Sequence, residues 1–196
     1  MAIMIHATLP PELTKAAAEL YWQAFGGKLG MVMGPDKKAL RYLCRILRND
    51  HAVAAIGPTG ELLGVAGFKT PQGSFAGGEW SDMVAIYGWF GTLWRSPLLA
   101  LLAREVDNER FLLDGVCVAK DARGQGIGSA LLEVICTEAR GRGYGQVRLD
   151  VIDTNWRAKA LYERLGFKVL KIDRLGLLRH IFGFASSSTM VKDLAP

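Results

Sequence analysis

The sequence predicts a single-domain α/β fold, a mixed and mostly antiparallel sheet flanked by helices with a parallel strand-helix-strand unit at its centre. Three observations predict it. Apolar strand-like runs interleave with helix-like segments along the chain, from "IMIHATL" to "SSSTMVKDL". Between Phe111 and Ile152 a strand, a glycine-rich turn, a helix and a second strand follow in the order of a right-handed parallel crossover. The chain has 196 residues, 50% of them hydrophobic, which suffices for one substantial core. No internal repeat or low-complexity linker divides it, so residues 1–196 are read as one domain.

The elements follow in order. "IMIHATL" is a first strand, and "PPELTKAAAELYWQAFGG" a helix opened by proline, which lacks only an N–H that a first turn leaves unused, and closed by Gly26 and Gly27. A second helix runs from Pro35 to Arg48. "HAVAAIGPTGELLGVAGFK" is a hairpin about the turn Gly57-Pro58-Thr59-Gly60. Residues 81–104 are an aromatic stretch, read as a helical insertion in two pieces split near Pro97. "FLLDGVCVA" is the central strand, Gly126 to Gly141 a helix stopped by "GRGYG", and "QVRLDVI" the next buried strand. "TNWRAKALYERLGF" is a helix capped by Thr154 or Asn155 and ended at Gly166; "KVLKI" and "SSSTMVKDL" are the last strands.

Composition excludes several classes. Cys44, Cys117 and Cys136 are far apart and form no CxxC pair, and His6, His51 and His180 do not join them at metal-ligand spacing, so a reduced, metal-free, cytoplasmic protein is expected. The N-terminus meets prolines and Glu12 after a brief apolar run and does not read as a signal peptide. The greasiest region, Met83 to Leu102, is interrupted by Arg95 and Pro97, so no membrane span is expected. The net charge of +5 is local: Lys+Arg and Asp+Glu number 11 and 11 in residues 1–119, 12 and 7 in residues 120–180, and one each thereafter. A coat for nucleic acid would be spread more widely, and no zinc-finger spacing or basic-aromatic repeat occurs. A compact anion near residues 120–180 fits better.

That segment holds "VCVAKDARGQGIGSALLEV". Glycines where a helix begins let backbone N–H groups approach an anion, and the helix dipole adds positive potential there. Arg123 supplies a forked donor for phosphate oxygens. No Gly-Lys-Ser/Thr follows, so the loop is not a Walker loop. A dinucleotide fingerprint would need GxGxxG tight against the strand and an acidic residue some 20 positions on. Asp150 roughly supplies the acid, but Gly124, Gly126 and Gly128 alternate as GxGxG behind "KDAR". A sharp turn needing positive φ is the bland alternative.

Arg123-Gly-Gln-Gly126-Ile-Gly128 resembles the R/Q-x-x-G-x-G/A signature of the GCN5-related N-acetyltransferases (GNAT), and "LDVIDTNWRAKALYERLGF" resembles the motif that follows it in that family. The likeness is tight over about residues 111–168 and elsewhere is one of layout. It implies acetyl-CoA as cosubstrate, its pyrophosphate on the amides of Arg123, Gly124, Gln125, Gly126, Ile127 and Gly128 with Ser129 adjoining, its pantetheine beside Val116, Cys117 and Val118, and transfer of acetyl to a primary amine in a ternary complex. By the same resemblance Asn155 would contact the pantetheine arm and Tyr162 would donate a proton to the departing thiolate. The residues alone also allow Asn155 as a simple cap and Tyr162 as a core aromatic beside Leu161 and Leu165.

Period two puts Asp114 on one strand face with Val116 and Val118 and makes it the nearest acidic candidate for general base; an aspartate before glycine can also merely cap a bend. Glu79, Asp82 and Tyr87 are weaker options. Cys117 points the opposite way and has no adjacent histidine, so it reads as core filler rather than nucleophile. Trp156 and Arg157 either meet the nucleotide end or cover the surface. The 81–104 stretch is read as core, as a homodimer contact or, through Trp89 and Trp94, as the wall of an acceptor pocket suited to a small, partly apolar amine. A non-catalytic acyl-CoA or nucleotide sensor is the rival to an enzyme.

Overall fold

The computed structural model describes residues 3–102, 109–176 and 179–194, so positions 103 and 104 of the aromatic stretch lie outside the described residues. One sheet is built from β1 (Met4–His6), β2 (Ala52–Ile56), β3 (Leu62–Thr70), β4 (Gly73–Ser74), β5 (Phe111–Val118), β6 (Gln146–Ile152), β7 (Lys168–Arg174) and β8 (Ser186–Asp193). The helices are α1 (Thr14–Met33), α2 (Asp36–Ile46), α3 (Trp80–Leu102), α4 (Ile127–Gly141), α5 (Trp156–Arg164) and the short α6 (Arg179–Phe182). Strand order is β1-β2-β3-β5-β6-β8-β7, with β4 added to β3. The pairs are antiparallel except β5 with β6. The expected mixed sheet and its parallel crossover are both present; β4 and α6 have no counterpart among the elements expected from sequence.

The sheet divides two cores. On one face α4 lays Leu131, Leu132 and Ile135 against Phe68, Phe111, Leu149 and Tyr162. On the other, α1, α2 and α3 cover Ala54, Val65 and Cys117 with Ala17, Ala18, Leu43 and Met83. Strand β2 is buried along its whole length because both faces are covered, which is why it reads as unbroken Ala/Val/Ile. Strand β6 alternates instead: Val147, Leu149 and Val151 are buried, while Arg148 and Asp150 face the other way and are only partly covered.

Two expected helix boundaries move. Gly26 and Gly27 lie inside α1, which ends at Gly34, whose N–H bonds the Gly30 carbonyl at 2.9 Å. The interior glycines, Gly26, Gly27 and Gly30, cost roughly 1 kcal/mol each. Packing offsets that cost, since Val32 and Met33 beyond them are buried, Tyr87 donates its hydroxyl to the Met33 carbonyl, and Arg95 donates to the Gly34 carbonyl at 3.3 Å. The aromatic stretch breaks at Gly88 (φ 71°, ψ 172°), not at Pro97, which stays inside the second piece. Positive φ is open to glycine at little cost, so the break falls where no Cβ resists it.

A bulge changes the reading of β5. Gly67 pairs with Gly115 but the next rung joins Phe68 to Leu113, leaving Asp114 as an extra residue. Residues 114 and 115 therefore both face α1: a Cβ on Gly115 would lie 2.8 Å from the Phe25 ring, and Asp114 borders the same space. Val116 and Val118 pack on the α4 side, Cys117 on the α1 side. Asp114 thus shares a side with Cys117, and the period-two inference that grouped it with Val116 and Val118 fails because a bulge adds one residue to the count.

Candidate functional site

The glycine loop stands at the end of β5. Gly124 and Gly126 have φ of 81° and 80°, so the path of the loop depends on them, and a Cβ at either would point into open space. The Ala130 N–H is bonded to the Gly126 carbonyl at 3.0 Å, so the amides of residues 127–129 are the first-turn donors of α4, supplied to no earlier carbonyl of the helix. Gly128 instead permits close packing, since a Cβ there would approach Leu161 to 3.2 Å and Val118 to 3.9 Å. The loop, the end of β5 and α5 therefore meet at one point. The Arg123 Nε donates to the Val118 carbonyl at 3.2 Å, Gln125 donates to the Asp121 carbonyl at 3.3 Å, and both side chains are exposed. This open, donor-rich turn beside an arginine fits a diphosphate.

Beside the loop the sheet opens. Strands β5 and β6 pair only at Phe111 with Val147 and Leu112 with Arg148, while β5 stays on β3 to Val118 and β6 stays on β8 to Ile152. The result is a wedge whose sides are Leu113–Val118 and Leu149–Ile152. Val116 and Val118 are half-buried along it. The Cys117 side chain is buried in the α1-side core, so what it offers a wedge ligand is backbone.

Tyr162 is 8% exposed, packed in the α4-side core with its ring 5.9 Å from Phe167. Burial, with a smaller effect of the nearby Cys117 thiol, pushes its pKa up to about 12. The hydroxyl is therefore protonated at neutral pH. Asn155 caps α5, its Oδ1 accepting from the Ala158 N–H at 3.4 Å, and is exposed. Arg157 lies 5.1 Å over the exposed Trp156 ring beside it.

Across the sheet lies a cleft of about 600 Å³, bounded by α1, α2, α3, the segment after β3, and β5, β6 and β8. Asp114 borders it, its Oδ2 accepting from Ser74 Oγ at 3.3 Å and from the Ala76 N–H at 3.2 Å. Tyr21, Lys69, Glu79 and Asp150 border it as well. Burial is the main cause, and Asp114 and Cys117 lesser ones, that hold the Tyr21 hydroxyl well above the usual tyrosine range. Asp150 accepts a hydrogen bond from Thr189, and Arg148 lies 3.7 Å from its other oxygen.

Of the weaker base candidates, Glu79 reaches the cleft, but Asp82 is held by Arg45 at 2.6 Å and Tyr87 is buried with its pKa pushed up to about 12 by burial. Trp89 (67% exposed), Phe90 (90%) and Trp94 do not border the cleft; Trp80, Met83, Ser96 and Leu99 supply the wall that α3 makes. Tyr21 and Asp150 were missed as site residues. The signals were present: Tyr21, Phe25 and Leu29 are spaced four apart on one helix face, and the alternation of β6 sets Asp150 opposite its apolar residues.

A family model described as the acetyltransferase (GNAT) family matches residues 14–167. The chain is an acetyltransferase by class, and it belongs to the GNAT family, whose acyl donor is acetyl-CoA. No curated protein matches it. Among solved structures it is similar to histone acetyltransferase HPA2 and related acetyltransferase from Corynebacterium glutamicum, at 21% identity and a TM-score of 0.67 over 100% of this chain and 98% of that one. It is also similar to the ribosomal-protein-S18-alanine N-acetyltransferase from Escherichia coli, at 19% identity and a TM-score of 0.60 over 100% and 96%. A GNAT acetyltransferase from Elizabethkingia anophelis with acetyl-CoA bound is 14% identical with a TM-score of 0.50 over 73% and 75%. At such identities the likeness is one of fold. Among the described residues no group of His, Cys, Asp and Glu could hold a metal ion, and no helix is long and apolar enough to cross a membrane.

Proposed function

We propose that the protein is an acetyl-CoA-dependent N-acyltransferase that moves an acetyl group to the primary amine of a small molecule, by direct attack in a ternary complex. One observation carries the reading. The wedge between β5 and β6 has the glycine loop and Tyr162 on its α4 side and the cleft with Asp114 on its α1 side, so a donor threaded through the sheet meets an acceptor entering from the other face.

The donor supplies an activated acyl carbon as a thioester. The amides of residues 127–129, with Gly124 and Gly126 shaping their approach and Arg123 adding charge, hold its diphosphate; Val116 to Val118 and Asn155 guide its arm. Asp114 takes the proton the acceptor nitrogen must shed, directly or through water. The nitrogen forms its bond to the acyl carbon as the carbon–sulfur bond breaks, the sulfur leaves as a thiolate, and the second proton shed by the nitrogen passes through solvent to that thiolate, so that the products are the amide and the free thiol. Tyr162, with a pKa near 12, is a weaker acid than an alkyl thiol at about 8.5. Its contribution is thus a hydrogen bond to the departing sulfur rather than complete proton transfer. Cys44, Cys117 and Cys136 form no disulfide with one another, which suits a reducing cytoplasm as the setting. The test is incubation of the protein with acetyl-CoA and an amine panel while free thiol is followed; release that requires both supports the reading, and none with any amine refutes it.

A further inference from the structure

We propose that the acceptor is an amphipathic amine: one ammonium group on an uncharged apolar body. The inference rests on the cleft being the acceptor site and narrows what that site takes.

The cleft is two-ended. Its sheet end carries the polar groups, with Asp114 on β5 and Asp150 on β6 where the two strands part. Its helical end carries no charged side chain: Phe25 and Leu29 of α1, Leu43 and Ile46 of α2, Met83 and Leu99 of α3 line it, with Tyr21, Tyr42 and Ser96 the hydroxyl-bearing residues among them. Among its bordering residues three are acidic and one, Lys69, is basic, so that even with Arg148 set against Asp150 at 3.7 Å the acids outnumber the bases, in a chain whose net charge is +5. A cation is thus favoured locally against the overall charge, but at one end only. A second ammonium, or a peptide's run of amides, placed against the helical end would lose its water and meet no opposite charge there, with a few hydroxyls the only polar side chains the helices bring to it. At about 600 Å³ the space falls within the range of small-molecule sites. A hydrocarbon body gains instead, by up to about fourfold in affinity for each methylene buried.

The experiment uses the full chain, acetyl-CoA and a homologous series of ethylamine, butylamine and hexylamine, with 2-phenylethylamine, 1,6-diaminohexane, spermidine and a lysine-containing peptide as comparators. Thiol release should give a KM that falls two- to fourfold per methylene and a kcat/KM for hexylamine at least tenfold above that for 1,6-diaminohexane, which differs only in its far ammonium. L99Q should raise the hexylamine KM severalfold and leave the acetyl-CoA KM unchanged; M83Q serves equally if L99Q does not fold. Turnover of the diamine, spermidine or peptide equal to or above hexylamine overturns this inference while leaving the transferase reading intact. Binding of 2-phenylethylamine, seen as a raised Tm, without thiol release from any amine supports the chemistry of the cleft and refutes catalysis. Neither binding nor release refutes both.

Discussion

The backbone N–H of Ala76 donates to Asp114 Oδ2 at 3.2 Å, across 38 residues of sequence, and Ser74 Oγ joins it on the same oxygen at 3.3 Å. Two neutral donors thus orient the carboxylate. If Asp114 is the base, D114N should lower kcat/KM for the acceptor roughly 10²-fold while the acetyl-CoA thermal shift persists. Equal activity of D114N and wild type in steady-state assays would reduce Asp114 to a bulge residue. Loss of one hydrogen bond in S74A is worth about 1 kcal/mol, so a few-fold effect on the acceptor is expected there.

The segment that carries those donors is itself pinned. Arg48 Nη1 donates to the Gln72 carbonyl at 2.9 Å, its backbone N–H donates to the Phe75 carbonyl at 2.9 Å, and its Nε and Nη2 are engaged by Asp50. His51 Nε2 lies 3.1 Å from Thr70 Oγ1 at the end of β3. R48A should therefore raise the acceptor KM several-fold, with the acetyl-CoA KM unchanged and partial rescue in R48K. Parallel loss of both KM values would show a global defect instead.

Gly126 tests the loop. A side chain there meets no atoms but would have to adopt φ near 80°, at a cost of roughly 1–2 kcal/mol. G126V should fold with a modestly lower Tm. Wild type should gain about 2.7 kcal/mol from acetyl-CoA at 100 times its Kd, and G126V should not. A full ligand shift in G126V, measured by differential scanning fluorimetry, would remove the loop from the donor site.

Tyr162→Phe keeps the packed ring and removes only the hydroxyl. Turnover should fall roughly 10- to 10²-fold, the worth of one hydrogen bond to a charged atom, with the acetyl-CoA KM nearly constant. Unchanged turnover would leave Tyr162 as core alone.

The tyrosines also set an alkaline limit. Burial is the main cause that raises Tyr42, Tyr87 and Tyr162 to about 12 and Tyr21 well above its ordinary value of 10. A raised folded pKa means the stability these groups contribute is fully present below pH 10 and is lost as pH rises toward 12, because the unfolded chain ionises first. Phenolate absorbance near 295 nm should therefore show these four unionised at pH 10.5 while the fold persists, then rise with unfolding. Smooth ionisation of all tyrosines at pH 10 in a folded protein would contradict their burial.

Much of this architecture was legible in the chain. The crossover from Phe111 to Ile152, the capped helix after Asn155 and the glycine loop are local patterns, and each stands where spacing put it. The failures are tertiary. Gly26 and Gly27 look like a stop, but contacts from Tyr87 and Arg95 hold the next turn and a half in place. Asp114 was given the wrong side because a bulge depends on the partner strand, which periodicity within one strand does not report. Of the three readings of the aromatic stretch, the one that sets its tryptophans on a pocket wall fails for Trp89: the break at Gly88 and the packing of Tyr87 and Met83 in the core leave it at the surface. Tyr21 and Asp150 enter the cleft from elements far apart in sequence, and only the assembled sheet brings them together.

Two rungs, Phe111 with Val147 and Leu112 with Arg148, are all that lace β5 to β6. An open strand margin at the rim of a protein invites another chain to add to it. Here the margins lie inside the molecule, between two faces that helices cover. On the function proposed above, a donor arm bearing its own amide groups would lie there as a removable brace between the two halves of the sheet, and amide hydrogen exchange in β5 and β6 should slow when acetyl-CoA is added.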